Sequence, residues 1–189
     1  MNDKCVILGT APCLETDLDD LASIGTGNGF DFFAVGLDCA DRYLGRIDHA
    51  VSYHPKEFQE FRERRAKVGG NLDYVTHSHN ENGKPDRVWP YMAPSGSSAM
   101  LGVEAALGLG YAKVIVAGVS LYDKAYKRFQ AGWKIRFDGS REDYANELQH
   151  GTYREGVINA LRDNKDRVRA MSGYPREILG APTGEWLNS

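Results

Sequence analysis

The chain has 189 residues, of which 42% are hydrophobic and 26% charged, and a net charge of −3. That balance belongs to a globular domain with its own core. It carries neither the basic footprint of a nucleic-acid or anionic-membrane binder nor the roughly 20-residue apolar run of a membrane helix.

Reading from the N-terminus, Lys4 to Gly9 is a short apolar run ending in glycine, the pattern of a buried strand, without the basic-then-apolar layout of a signal peptide. Leu14 to Ile24 places Leu14, Leu18, Leu21 and Ala22 on one helical stripe among acids. After a glycine-rich loop at 25–29, Asp31 to Gly36 and Asp48 to Tyr53 read as the second and third strands. Lys56 to Val68 reads as a charged surface helix, and Leu72 to His77 as a fourth strand.

Ser78 to Pro94 is polar and punctuated by Gly83, Pro85, Pro90 and Pro94, which predicts a long loop. Gly96 to Gly110 has the Ala, Leu and Gly content of a helix packed closely on a sheet. Lys113 to Gly118 is the clearest strand, continuous and β-branched as in a parallel sheet. Residues 120–142 lose all periodicity and read as an insertion or lid. Asp143 to Asp163 reads as a helix, Arg167 to Met171 as a last strand, and Pro175 to Leu179 as a final helical turn. Strands alternating with helices predict one Rossmann-like, doubly wound α/β domain over 1–189, three-layered around a mostly parallel sheet.

Cys5, Cys13 and Cys39 are odd in number and lack a CxxC spacing, so they read as small buried thiols in a reduced, cytoplasmic compartment. In doubly wound sheets, ligands bind beyond the C-terminal strand ends, where the strand order reverses. Three such ends draw notice. Gly9, Thr10 and Ala11, followed by Pro12, open the first helix; this is either a phosphate-cradling turn or simply a tight one, and it is not a dinucleotide GxGxxG. Ser95, Gly96, Ser97 and Ser98 precede a helix and offer hydroxyls and amides to an anion, or an N-cap to the helix. Ser120, Tyr122 and Asp123 follow the strongest strand and either face the crevice or form a solvated loop. His77 and His79 flank the long loop without a third ligand at metal spacing. His150, before Gly151, stands where a general base is able to reach such a crevice.

In their order these motifs resemble the bacterial sialyltransferases that use CMP-sialic acid to decorate lipooligosaccharide. The similarity runs through Gly9 to Leu14, Tyr43 to Arg46, Ala50 to Pro55, Ser95-Gly96, Ala106 to Lys113, Gly118 to Tyr122 and His150 ahead of Ala160-Leu161. The resemblance implies a nucleotide-sugar enzyme of Rossmann-like fold. Its catalytic residues would be His150, taking a proton from an acceptor hydroxyl, and Tyr122, donating to the departing phosphate, with Tyr126 as a second tyrosine. Gly9, Thr10, Ala11, Gly36, Ser95, Gly96 and Ser120 would hold the nucleotide, with no metal or other cofactor. Thr10 and Gly36 stand where that family carries asparagine. The opening turn and the Gly-Tyr-Lys-like strand also resemble the archaeal hydroxymethylpterin pyrophosphokinase group. A phosphotransferase of that kind would need magnesium held by carboxylates such as Asp38, Asp41 or Asp123. A binding protein that has lost the chemistry is the third reading. The expected partner is a small nucleotide or nucleotide-sugar rather than nucleic acid or membrane, and a homo-oligomer stays open.

Overall fold

The computed structural model describes residues 2–24, 29–89, 97–121 and 164–189. Seven strands, β1 (Lys4–Leu8), β2 (Phe30–Val35), β3 (His49–Val51), β4 (Val75–Ser78), β5 (Arg87–Val88), β6 (Lys113–Ala117) and β7 (Val168–Ala170), form one sheet in the order β5-β4-β3-β2-β1-β6-β7. Every neighbouring pair is parallel. The six helices described are α1 (Leu14–Ser23), α2 (Cys39–Arg42), α3 (Phe58–Lys67), α4 (Ser98–Gly108), α5 (Gly173–Leu179) and α6 (Gly184–Asn188).

The expected doubly wound α/β architecture is therefore present, and the alternation of β1 shows why. Cys5 and Ile7 join α4 and α5 in one apolar cluster, while Val6 and Leu8 join α1, α2, α3 and α6 in the other. A strand buried on both faces must read as a continuous apolar run, as β1 and β6 do. Each fully buried Leu or Ile of these strands contributes about 1.5–3 kcal/mol.

The boundaries differ from the sequence expectations for local reasons. The fourth strand begins at Val75 rather than Leu72, because Asn71 and Asp73 are held elsewhere: Asn71 bonds both Ile47 backbone groups at 2.7 and 2.9 Å, and Arg46 bonds Asp73 at 3.1 Å. The third strand stops at Val51, where Ser52 Oγ accepts the His54 amide at 2.9 Å and turns the chain. Pro55 opens a single 3-10 turn, Pro55–Glu57, ahead of α3. The polar stretch from 78 contains the edge strand β5, fixed by Asp86, whose Oδ2 accepts from Thr76 N at 2.8 Å and Thr76 Oγ1 at 2.7 Å. Helices α2 and α6 were not expected. The helix expected at 143–163 and the body of the insertion at 122–142 lie outside the described residues.

Arg65 lies on the buried stripe of α3 and is only 1% exposed. Its guanidinium donates to the carbonyls of Tyr43 and Gly45, and to Asn71 Oδ1 at 3.2 Å. It holds the α2–β3 connection by satisfying carbonyls that have no strand partner.

Candidate functional site

Strands β2 to β5 run out to one side of β1, and β6 and β7 to the other. The order thus reverses between β1 and β6, and a crevice is expected beyond their C-terminal ends. The two ends are joined there by backbone. Gly9 N donates to Ala117 O at 2.8 Å, and Ala11 N donates to Gly118 O at 2.9 Å. A Cβ on Gly9 would stand 2.2 Å from Gly118 O and 2.4 Å from Val119 Cγ2. Gly118 itself has φ +67°, the left-handed region. The glycine in the first turn therefore has a structural reason of its own: it lets β6 close on β1.

Asp17 anchors this junction from α1. It is 3% exposed, and its Oδ2 accepts Gly118 N and Ser172 Oγ, both at 2.8 Å. Ser172 Oγ also lies 3.2 Å from Cys13 Sγ, and the one carboxylate fastens α1 to the ends of β6 and β7. Burial raises the Asp17 pKa, while the Gly118 amide and Ser172 hydroxyl pull it back. Cys39 Sγ donates toward Leu8 O and Gly9 O at 3.1 and 3.2 Å, and burial pushes its pKa up to about 12. Arg42 reaches from α2 to Thr10 O at 2.5 Å and makes a two-pronged pair with Glu15 at 2.7 and 3.0 Å.

Of the residues singled out in the sequence, Gly9, Thr10, Ala11, Gly36 and Ser120 all lie at this edge. A Cβ on Gly36, at φ +81°, would be 3.7 Å from Thr10 Cγ2, which makes the ends of β1 and β2 neighbours. Ser120 is 5% exposed, and its hydroxyl has no hydrogen-bond partner among the described residues. Its carbonyl accepts Tyr174 N at 2.8 Å, and Gly173, at φ +69°, leaves no room for a Cβ beside it. Ser95, Gly96, Tyr122, Asp123, Tyr126 and His150 lie outside the described residues. Ser98 Oγ accepts Tyr53 N at 3.0 Å, so α4 begins beside the end of β3, on the same edge of the sheet. Asp38 and Asp41 face Arg64, at 3.1 and 3.8 Å.

Asp17, Arg42 and Ser172 were not anticipated, whereas Cys39 is the buried thiol the sequence suggested. Asp17 did leave a signal: it occupies the i+3 position of the Leu14, Leu18, Leu21 stripe, an acid on a core-facing row.

Among the described residues no group of three or more His, Cys, Asp or Glu is arranged for a metal. Instead His77 Nε2 lies 2.9 Å from His49 Nδ1, in a buried polar row shared with Trp89, Tyr111 and Asp31.

The fold is that of a Rossmann-like, doubly wound parallel α/β protein with glycines at its switch point. No described helix is long and apolar enough to cross a membrane. No protein-family model, curated protein or solved structure matches the chain.

Proposed function

We propose that the chain binds a nucleotide at the β1–β6 switch point and acts as a glycosyltransferase on a CMP-type nucleotide-sugar, in a cytoplasmic setting that keeps its three thiols free. The observation that carries the reading is the Ser120 hydroxyl, two residues beyond Gly118, buried and unpartnered among the described residues. A buried hydroxyl without a partner costs free energy that a ligand hydrogen bond would recover. Thr10 and Gly36 flank the same edge, and the order of motifs resembling the sialyltransferases supplies the rest.

In this reading the acceptor oxygen bonds to the anomeric carbon as the bond to the donor phosphate breaks. His150 takes the acceptor proton, and Tyr122 donates a hydrogen bond to the departing CMP phosphate. Phosphate is already a good leaving group, so no metal is required. The phosphotransferase reading finds less support, since Asp38 and Asp41 are engaged by Arg64.

A thermal-shift panel of CMP, CDP, UDP-sugars and ATP, with and without magnesium, tests the reading. CMP compounds should stabilise without metal, by ~2.7 kcal/mol at a hundred times Kd. Stabilisation by ATP only with magnesium would favour phosphoryl transfer instead. His150→Ala should abolish transfer and leave CMP binding intact; weakened binding with turnover spared would overturn the assigned role.

A further inference from the structure

A row of five side chains crosses the α4 face of the sheet, independent of the switch point. Trp89 Nε1 lies 3.0 Å from His77 Nδ1, His77 Nε2 lies 2.9 Å from His49 Nδ1, His49 Nε2 lies 3.2 Å from Tyr111 Oη, and Tyr111 Oη lies 2.6 Å from Asp31 Oδ2. Indole is a donor only, and an ionised carboxylate is an acceptor only. The ends therefore dictate the middle. Trp89 donates, so His77 Nδ1 is bare and its proton sits on Nε2. His49 Nδ1 must then accept, its Nε2–H donates to Tyr111, and Tyr111 donates to Asp31. Both histidines are neutral, each in one tautomer, and all four bonds point the same way.

One added proton must break that order. A proton on His77 Nδ1 confronts the indole N–H directly. A proton on His49 Nδ1 confronts His77 Nε2–H, and if His77 answers by moving its own proton to Nδ1, the clash passes to Trp89. The inner members have no room to relax: His49 stacks on Phe33 with centroids 4.0 Å apart, and Tyr111 is 1% exposed. Trp89 sits at the end of a two-residue, solvent-exposed edge strand, its ring laid against Gly108 of α4. The groups facing the two rings are Asp31 and Asp48 beside His49, Asp86 beside His77, and Arg87 on β5 near both; Glu104 is the one titratable residue of α4 and is half-buried. Desolvation, with Arg87, opposes protonation, so the row is intact at neutral pH.

We propose that this row is a one-way polar latch, which holds Trp89 and β5 on the sheet edge at neutral pH and releases them when either histidine gains a proton.

NMR of the 15N-labelled full chain tests it, with the Trp89 indole signal assigned by its loss in Trp89→Phe. At pH 7 the His49 and His77 rings should both show Nε2–H and a bare Nδ1. On acidification the Trp89 indole N–H should shift and lose exchange protection together with the first histidine titration, while core amides such as Val6 and Ile115 keep their dispersion. In His77→Phe the indole should stand in its released position already at pH 7 and should not respond to pH. An Nδ1–H tautomer on either ring at pH 7 would overturn the proposal. So would an indole signal that stays fixed while a histidine titrates, or one that moves only as the whole core unfolds. The wild-type titration decides the matter even if His77→Phe does not fold.

Discussion

Gly9 and Gly118 bring the ends of β1 and β6 into close backbone contact: the Cβ that Gly9 lacks would stand 2.2 Å from the Gly118 carbonyl oxygen. The obstacle is backbone already bonded to Ala11, so it has little freedom to move aside. Gly9→Ala should therefore lower stability by about 1–3 kcal/mol through overpacking. Gly69→Ala is the control, because Gly69 has a similar left-handed φ of +70° to that of Gly118 but open space around it. Its cost should be the backbone term alone, about 1 kcal/mol. Gly118→Ala, with Leu14 Cβ at 3.0 Å, should cost more than Gly69→Ala. Urea unfolding of the three variants ranks them; equal losses at Gly69 and Gly118 would refute the packing argument.

Asp17 serves two donors at once. Asp17→Ala leaves the Gly118 amide and the Ser172 hydroxyl without their acceptor and should cost about 1.5–3 kcal/mol. Asp17→Asn keeps one acceptor oxygen and removes a charge that burial disfavours, so it should lose less. Denaturant midpoints of the two variants at pH 7 provide the comparison.

The three thiols should differ in reactivity. Cys5 and Cys39 are fully buried, and burial raises both pKa values, that of Cys39 to about 12. In native protein at pH 8 an aromatic disulfide reagent should reach Cys13 alone, and slowly, since its pKa is raised as well. All three should react in denaturant. Rapid native reaction at more than one thiol would contradict the packing around Leu8 and Gly9.

Acid should weaken the fold before the carboxylates titrate. Burial lowers the His77 pKa from 6.5 to about 3, and lowers that of His49 as well. Below pH 6.5 the unfolded chain then binds protons that the folded chain refuses. Stability from these histidines is complete above 6.5 and is lost as pH falls toward the folded values. The slope should reach about 1.4 kcal/mol per pH unit for each histidine. Urea midpoints at pH 7, 6 and 5 should fall in that order, and a flat profile would contradict the neutral row.

How much of this was legible beforehand follows from the kind of signal each part leaves. Strands β1 and β6 announce themselves because burial on both faces forces an unbroken apolar run, and the two glycines at their ends, Gly9 and Gly118, were visible in the sequence. Strand β5 was invisible: two exposed residues, Arg87 and Val88, carry no pattern, and their place is set by Asp86 reaching back to Thr76. Helix α2, a single turn, was too short for periodicity. The polar row escaped notice because its members are spread from Asp31 to Tyr111 and meet only through strand register. Asp17 and Arg65 were readable in principle, as charged residues on helical stripes that otherwise face the core.

The central claim is that a nucleotide sits at the reversal between β1 and β6. Amide chemical-shift mapping during a CMP titration, without magnesium, tests it most directly. The account predicts saturable shifts at Thr10, Gly36, Gly118 and Ser120, with Asn2, Asp31 and Tyr111 on the opposite edge unmoved, and a weakening of affinity in Ser120→Ala. No shift at millimolar CMP, or shifts gathered at the opposite edge, would contradict it.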